Sequence, residues 1–183
     1  VGIELLLTVA EAQRLRGAKA FAIATLRAPL GSVLDHAGPV GDVITATQTQ
    51  MKILADFVGV EAHAGVRPED GSSAIEAAAA AIGRMSLGRL DEETTANVGI
   101  IKGGTSGNVV AGHCGIHAEA RSIDAGRAAE VAGQIADACA WGASEFGCDA
   151  DVRVEELFRG YKVPSSSVAL ALAEESLRAA GVE

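Results

Sequence analysis

Met51-Lys52-Ile53-Leu54-Ala55-Asp56-Phe57 is the stretch whose reading decides the fold. Met51, Ile53, Ala55 and Phe57 fall on one side of an extended chain. Gln50, Lys52, Leu54 and Asp56 fall on the other, which is the period of a half-buried strand. Toward the C-terminus, Ser73 and Glu76 form a capping box that predicts an alanine-rich helix over 73–86. Thr95 to Lys102 reads as a second strand. In a third, Cys114, Ile116, Ala118 and Ala120 alternate with Gly115, His117, Glu119 and Arg121. Asp124 caps a helix that carries Ala128, Val131, Ile135, Ala138, Cys139, Gly142 and Phe146 on one stripe, and Gly147 suits its stop. Val152 and Val154 mark a fourth strand. The order β-α-β-β-α-β is a split βαβ unit of ferredoxin-like type, with an antiparallel sheet and both helices on one face. Such a sheet leaves one face and two edges open. Open edges are templates for pairing with another chain, so the unit is expected to serve as a dimerisation or lid module.

The segments on either side read differently. Ile3-Glu4-Leu5-Leu6-Leu7-Thr8-Val9 is nearly all apolar and predicts a strand buried on both faces of a parallel sheet. Residues 11 to 23 read as a short helix, and Ser32-Val33-Leu34-Asp35 as a second short strand ending in a carboxylate. After Phe158 the chain leaves the βαββαβ unit. Pro164 and Ser165 to Ser167 introduce a last helix that runs to Ala180. The chain opens at Val1 without a methionine and both ends look cut, so a fragment of a longer protein is expected.

Composition limits the function classes. Hydrophobic residues are 49% and aromatics only 3%, so the core must be built from Ala, Val, Leu and Ile. A net charge of −9 argues against nucleic acid as a partner. No apolar run reaches the roughly 20 residues of a membrane helix. Cys114, Cys139 and Cys148 lack paired metal spacing and read as reduced, mostly buried thiols, which fits a cytoplasmic protein. A lone histidine, His63, sits in the Gly/Pro-rich stretch Glu61-Ala62-His63-Ala64-Gly65-Val66-Arg67-Pro68, where a rigid loop can aim it at a ligand.

Thr8-Val9-Ala10-Glu11-Ala12-Gln13-Arg14-Leu15-Arg16-Gly17-Ala18-Lys19-Ala20 resembles the segment T-V-x-E-E-x-G-L-x-G-A-K-A of tripeptidase T-like dizinc peptidases, relatives of glutamate carboxypeptidase and acetylornithine deacetylase. Matches follow in order at Leu34-Asp35, Ala62 to Val66, Met85 to Asn97, Gly103-Gly104-Thr105 with Asn108, and Glu119 to Ser122. The resemblance implies an α+β chain. Residues 1–46 would be the end of a first α/β catalytic segment, 47–157 an inserted ferredoxin-like dimerisation (lid) domain, and 158–183 the start of the second catalytic segment.

The resemblance also assigns roles. In such enzymes a water bridging two zinc ions attacks a peptide carbonyl, with a glutamate as general base. Glu11 matches that base and Asp35 a zinc ligand. His63 matches the histidine that reaches across a homodimer to the partner's scissile carbonyl. Asn108 and Arg121 match positions that bind the substrate's main chain and terminal carboxylate. From the residues alone, Glu11 reads first as a helix-start glutamate, while Asp35 is equally a turn aspartate and Arg121 equally a salt-bridge partner of Glu119. Two departures stand out. Ala12 occupies the place of a second glutamate ligand, and Arg14 replaces a common glycine. No His-x-Asp occurs in the chain, and Asp35 alone cannot hold two zinc ions. Two readings follow. The chain is a fragment of a zinc-dependent exopeptidase acting on short peptides, or a non-catalytic dimerisation module or degenerate homologue that does not retain zinc.

Overall fold

A computed structural model describes residues 3–11 and 15–182. Its regular elements are α1 (Arg16–Ala20), β1 (Ala46–Thr47), β2 (Thr49–Val58), β3 (Ala62–His63), α2 (Ala74–Arg84), β4 (Gly88–Arg89), β5 (Thr94–Gly103), β6 (Val109–Val110), β7 (His113–Ser122), α3 (Ala125–Glu145), β8 (Asp149–Phe158), β9 (Tyr161–Lys162) and α4 (Val168–Ala179). The chain divides into two compact units, Ile44–Val163 and a second made of Val1–Val43 with Pro164–Glu183.

The unit Ile44–Val163 is a five-stranded sheet in the order β4-β5-β7-β2-β8. All its pairings are antiparallel. The four long strands and two helices, β2-α2-β5-β7-α3-β8, follow the split βαβ order, and β4 adds a two-residue hairpin arm to the β5 edge. Alternation along β2 and β7 does what its period predicts. Met51, Ile53, Ala55 and Phe57, with Cys114, Ile116, Ala118 and Ala120, are buried under the helices. Lys52, Asp56, His117, Glu119 and Arg121 occupy the opposite, open face.

The helices start where their caps require. Ser73 Oγ accepts the Glu76 amide at 3.3 Å, and Asp124 Oδ1 accepts the Arg127 amide at 3.0 Å. α3 ends before Gly147, whose φ of +62° is a left-handed stop that glycine adopts without a Cβ clash. The two helices face each other through small side chains, Ala74, Ala77, Ala78 and Ala81 of α2 and Ala128, Ala132 and Ala143 of α3, all buried. Gly142 lets the backbones meet, since a Cβ there would lie 2.5 Å from the Ala77 carbonyl oxygen. Phe57, Ile53, Ile116, Ile135 and Val131 supply the bulk of the core between helices and sheet. Cys114 and Cys139 are free thiols within it. Burial pushes Cys139 up to about 11 and raises Cys114 as well, so both are poor nucleophiles.

In the other unit three expectations are corrected. Ile3 to Val9 form no strand, and Ile3, Leu5, Leu7 and Val9 are at least three-quarters exposed. Ser32 to Asp35 are likewise irregular and exposed. An apolar strand forms only when neighbours pair with its backbone, and no described strand pairs with either segment. The helix expected over 11–23 is reduced to the five residues of α1, followed by a 3₁₀ turn at Ile23–Thr25. The last helix runs Val168–Ala179 with Gly181 beyond it at φ +74°. No helix among the described residues is long and apolar enough to cross a membrane.

Candidate functional site

His63 is placed by a short ladder. β3 pairs antiparallel with β6, His63 opposite Val109 and Ala62 opposite Val110. The Ala64 amide donates to the Asn108 carbonyl at 3.0 Å, and the amides of Val66 and Arg67 both donate to the His63 carbonyl at 3.1 Å. The backbone around His63 is thus closed into a tight turn bonded to the Asn108 segment. The ring is fixed as well. The Gly65 amide donates to His63 Nδ1 at 3.1 Å. A neutral imidazole that accepts at Nδ1 carries its proton at Nε2, so an exposed N–H donor is offered to a ligand.

Asn108 is oriented by the same logic. Ser106 Oγ donates to Asn108 Oδ1 at 2.6 Å, which leaves the Nδ2 amino group as the donor available to a ligand. The structure therefore brings His63 and Asn108 together as two donors on adjoining backbone segments.

Arg121 lies elsewhere. It sits at the C-terminal end of β7, opposite Gln50 of β2 and Thr95 of β5, whereas the His63 and Asn108 segments adjoin the N-terminal end at His113. Arg121 lies eight positions beyond His113, about 26 Å along a strand. Arg121 forms a two-pronged ion pair with Glu119, Nε to Oε1 at 2.9 Å and Nη2 to Oε2 at 3.0 Å, and Gln50 Nε2 also donates to Glu119 at 2.9 Å. The Arg121 side chain beside it holds the Glu119 carboxyl below the usual range. The salt bridge that the alternation of β7 allowed is present. A ligand carboxylate at Arg121 would have to compete with Glu119 or share the guanidinium with it.

On the open sheet face between these ends lies a groove of about 440 Å3. Its walls include Asp56, Glu61, Lys102, His113 and His117, and Gly115 lies among them without a side chain. Asp56 is engaged by Arg153 at 3.0 Å and by His113 at 3.5 Å. Sequence reasoning passed over Glu61 and Lys102, because isolated charges at strand ends are ordinarily solvated and no local spacing links residues 41 apart.

Glu11 and Asp35 belong to the other unit, and both are exposed. The Glu11 carbonyl accepts the Leu15 amide at 2.9 Å, as at a helix start. His36, next to Asp35, turns toward Asp42 at 3.8 Å. Ala12 and Arg14 lie outside the described residues. A dizinc site needs several convergent carboxylate and imidazole donors. Among the described residues no three His, Cys, Asp or Glu side chains stand close enough to share a metal ion. The described residues do not fit that metal centre, and no chemical step is assigned to it. Titration calorimetry of the 183-residue chain with zinc is expected to show weak binding or none. Tight uptake of two ions would mean that ligands other than Asp35 form a site.

Comparison with known proteins gives consistent results. The family model described as a peptidase dimerisation domain matches residues 45–146. The uncharacterized protein YqjE of Bacillus subtilis is 40% identical over 174 residues, 95% of this chain and 47% of its own length. Among solved structures, the aminopeptidase PepT of Bacillus cereus superposes with a TM-score of 0.89 and a tripeptidase of Staphylococcus aureus with 0.92. Each is 40% identical and matches 96% of this chain over 47% of its own. The chain thus spans about half the length of these relatives.

Proposed function

The chain belongs to the peptidase dimerisation-domain family, and on that premise we propose that it serves a zinc-dependent exopeptidase of the tripeptidase type, as the part that pairs two subunits and presents substrate-binding donors. The observation that carries this reading is the fixed pair His63 and Asn108. The ring of His63 is held with its Nε2 proton outward, and the amide of Asn108 with its Nδ2 group outward. Two N–H donors held in place before substrate arrives suit a peptide carbonyl oxygen that gains negative charge during attack. The Gly65 amide orients the one and the Ser106 hydroxyl the other, so little reorganisation is needed at the moment of reaction.

The placement of the His63 and Arg121 segments near opposite ends of β7 supports a division of labour between subunits. A short peptide cannot span the roughly 26 Å along β7. In a two-fold homodimer, His63 and Asn108 of one protomer would meet a substrate whose carboxylate is held at Arg121 of the other. Glu11 and Asp35 are proposed as general base and zinc ligand in the other unit. The short-peptide substrate class follows the names of the solved relatives. A cytoplasmic location is part of the same reading.

The two sheet edges differ in a way that supports one mode of pairing. β8 carries Asp149, Asp151, Arg153, Glu155 and Glu156, charges that discourage strand addition. β5 is covered by β4 only at Thr95 and Ala96, and beyond that it presents Ile100 and Ile101, about half exposed at 52% and 50%. Beside it, α2 exposes Ile75. Self-association through β5 and α2 is the arrangement we favour. Sedimentation equilibrium of the 183-residue chain at micromolar concentration should give a dimer, and Ile101→Lys should shift it to monomer with an unchanged circular-dichroism spectrum. A monomeric parent chain sinks the cross-subunit scheme.

The activity itself is tested with the full-length protein loaded with zinc and given tripeptides. Absence of hydrolysis would favour the second reading, a dimerisation module without catalysis. That reading rests on Ala12, whose methyl group cannot replace a carboxylate ligand.

A further inference from the structure

The loop that carries His63 is closed at its base and exposed along its tip. Val60 and Ser72 form the base, each amide donating to the other's carbonyl at 3.0 Å. Gly71 lays the returning chain against the ladder beside His63. A Cβ there would lie 2.9 Å from Ala62 Cβ and 2.9 Å from Val110 Cγ1, the two residues paired in β3 and β6. Between these anchors every residue from His63 to Asp70 is exposed. No apolar burial holds that segment, so its order rests on polar bonds.

One side-chain pair adds to the backbone bonds there. Arg67 Nε lies 2.9 Å from Asp70 Oδ2, and Arg67 Nη2 donates to Asp70 Oδ1 at 3.1 Å, the two-pronged geometry that guanidinium and carboxylate favour. The Asp70 amide donates to the Arg67 carbonyl at 3.3 Å, so side chains and backbone close one ring around Pro68 and Glu69. Among the described residues neither Arg67 nor Asp70 makes another side-chain bond. The Arg67 amide also donates to the His63 carbonyl at 3.1 Å. The ion pair therefore stands at the far end of the turn whose near end is the His63 ring with its Gly65 donor.

Resting on the peptidase reading above, we propose that Arg67 and Asp70 are positioning residues for His63, their ion pair holding the turn in the conformation that fixes the ring. Neither side chain bonds the imidazole, so both act through the backbone between Arg67 and His63. When the pair is broken, the turn visits conformations in which Gly65 no longer donates to Nδ1, and the Nε2 proton loses its fixed direction. A loop arginine is ordinarily a solvated charge, and an exposed ion pair contributes little where a buried face already fixes the chain. Here the contact is two-pronged and acts on a segment that has no buried face.

The test uses Arg67→Asp, Asp70→Arg and the double exchange, which restores opposite charges in swapped places. In the 183-residue chain, deuterium exchange of the Gly65 amide should quicken about five-fold in each single variant, the size of one well-oriented exposed pair, while that of Ile53 in β2 stays at the parent rate. Long-range proton–nitrogen NMR spectra should show His63 losing its preference for the Nε2-protonated form. The double exchange should return both signals toward the parent. Parent-like Gly65 exchange and His63 tautomer in the single variants, or a double exchange no better than the singles, overturns the proposal. In the full-length protein given tripeptides, the single variants should lower kcat about five-fold with little change in KM, and should cost nothing further once His63 is alanine. Loss of order at Gly65 with kcat unchanged in an active protein also overturns it. A full-length protein without hydrolysis whose Gly65 and His63 signals still follow the ion pair would remove the peptidase reading and leave the pair its hold on the ring. Hydrolysis with signals indifferent to the pair would do the reverse.

Discussion

Gly142→Val should destabilise the chain by about 3–4 kcal/mol, because the added side chain has no space between α2 and α3. A Cβ at Gly142 would lie 2.5 Å from the Ala77 carbonyl oxygen, 2.9 Å from Ala81 Cβ and 3.1 Å from the Ala81 amide nitrogen. Two of these three atoms are backbone, so no rotamer change relieves the overlap. The helices must part, and the alanines between them then lose contact along the whole seam. The branched side chain adds a smaller penalty against the preceding turn of α3. Gly133, on the same helix, is the control. A Cβ there meets nothing within 4 Å, and the residue is exposed. Gly133→Ala should be neutral or stabilising, by up to about 1 kcal/mol, through helix propensity alone. Urea denaturation of the two variants beside the parent chain checks both. A Gly142→Val protein within about 1 kcal/mol of the parent would show that the seam is looser than drawn.

That seam was largely legible from residue types. Gly142 fell on the stripe with Val131, Ile135, Ala138 and Cys139, and an alanine-rich helix opposite it can be approached only closely. The long strands were legible for a similar reason. Alternation over Met51 to Phe57 and Cys114 to Arg121 specifies a buried face without reference to what covers it. The same alternation placed Glu119 and Arg121 on one face, where they pair.

What failed was the inference from apolarity to burial. Ile3 to Val9 satisfy the pattern of a buried strand, but a pattern describes a surface that seeks a partner, and no described strand pairs with them. The two-residue ladders were illegible for the opposite reason. Ala62–His63 and Val109–Val110 are too short to carry a period, yet they join the two candidate donors. The groove lay beyond the sequence as well, since Glu61 and Lys102 come together only after β2, β5 and β7 align.

The largest functional effect is expected at His63. In the full-length protein, His63→Ala should lower kcat by about 10²–10³-fold with little change in KM, the size of losing one preorganised donor to a developing oxyanion. Among the described residues the ring makes one hydrogen bond, accepted at Nδ1 from the neighbouring Gly65 amide. It is exposed at the surface, so its removal should leave stability nearly unchanged. A loss of activity with an unaltered unfolding curve would therefore report chemistry and not folding. The subunit scheme makes a sharper demand. If each site combines Glu11 of one protomer with His63 of its partner, then His63→Ala and Glu11→Gln proteins are each inactive alone. In a mixed dimer, the first supplies an intact Glu11 and the second an intact His63, so one of the two sites is whole. Random pairing of equal amounts makes half of the dimers mixed, and the mixture should recover about one quarter of the parent activity. The measurement requires subunit exchange, which unfolding and refolding the two proteins together provides. No recovery from a mixture shown to contain mixed dimers would place His63 at its own protomer's site or at none, and the two-subunit site would have to be abandoned.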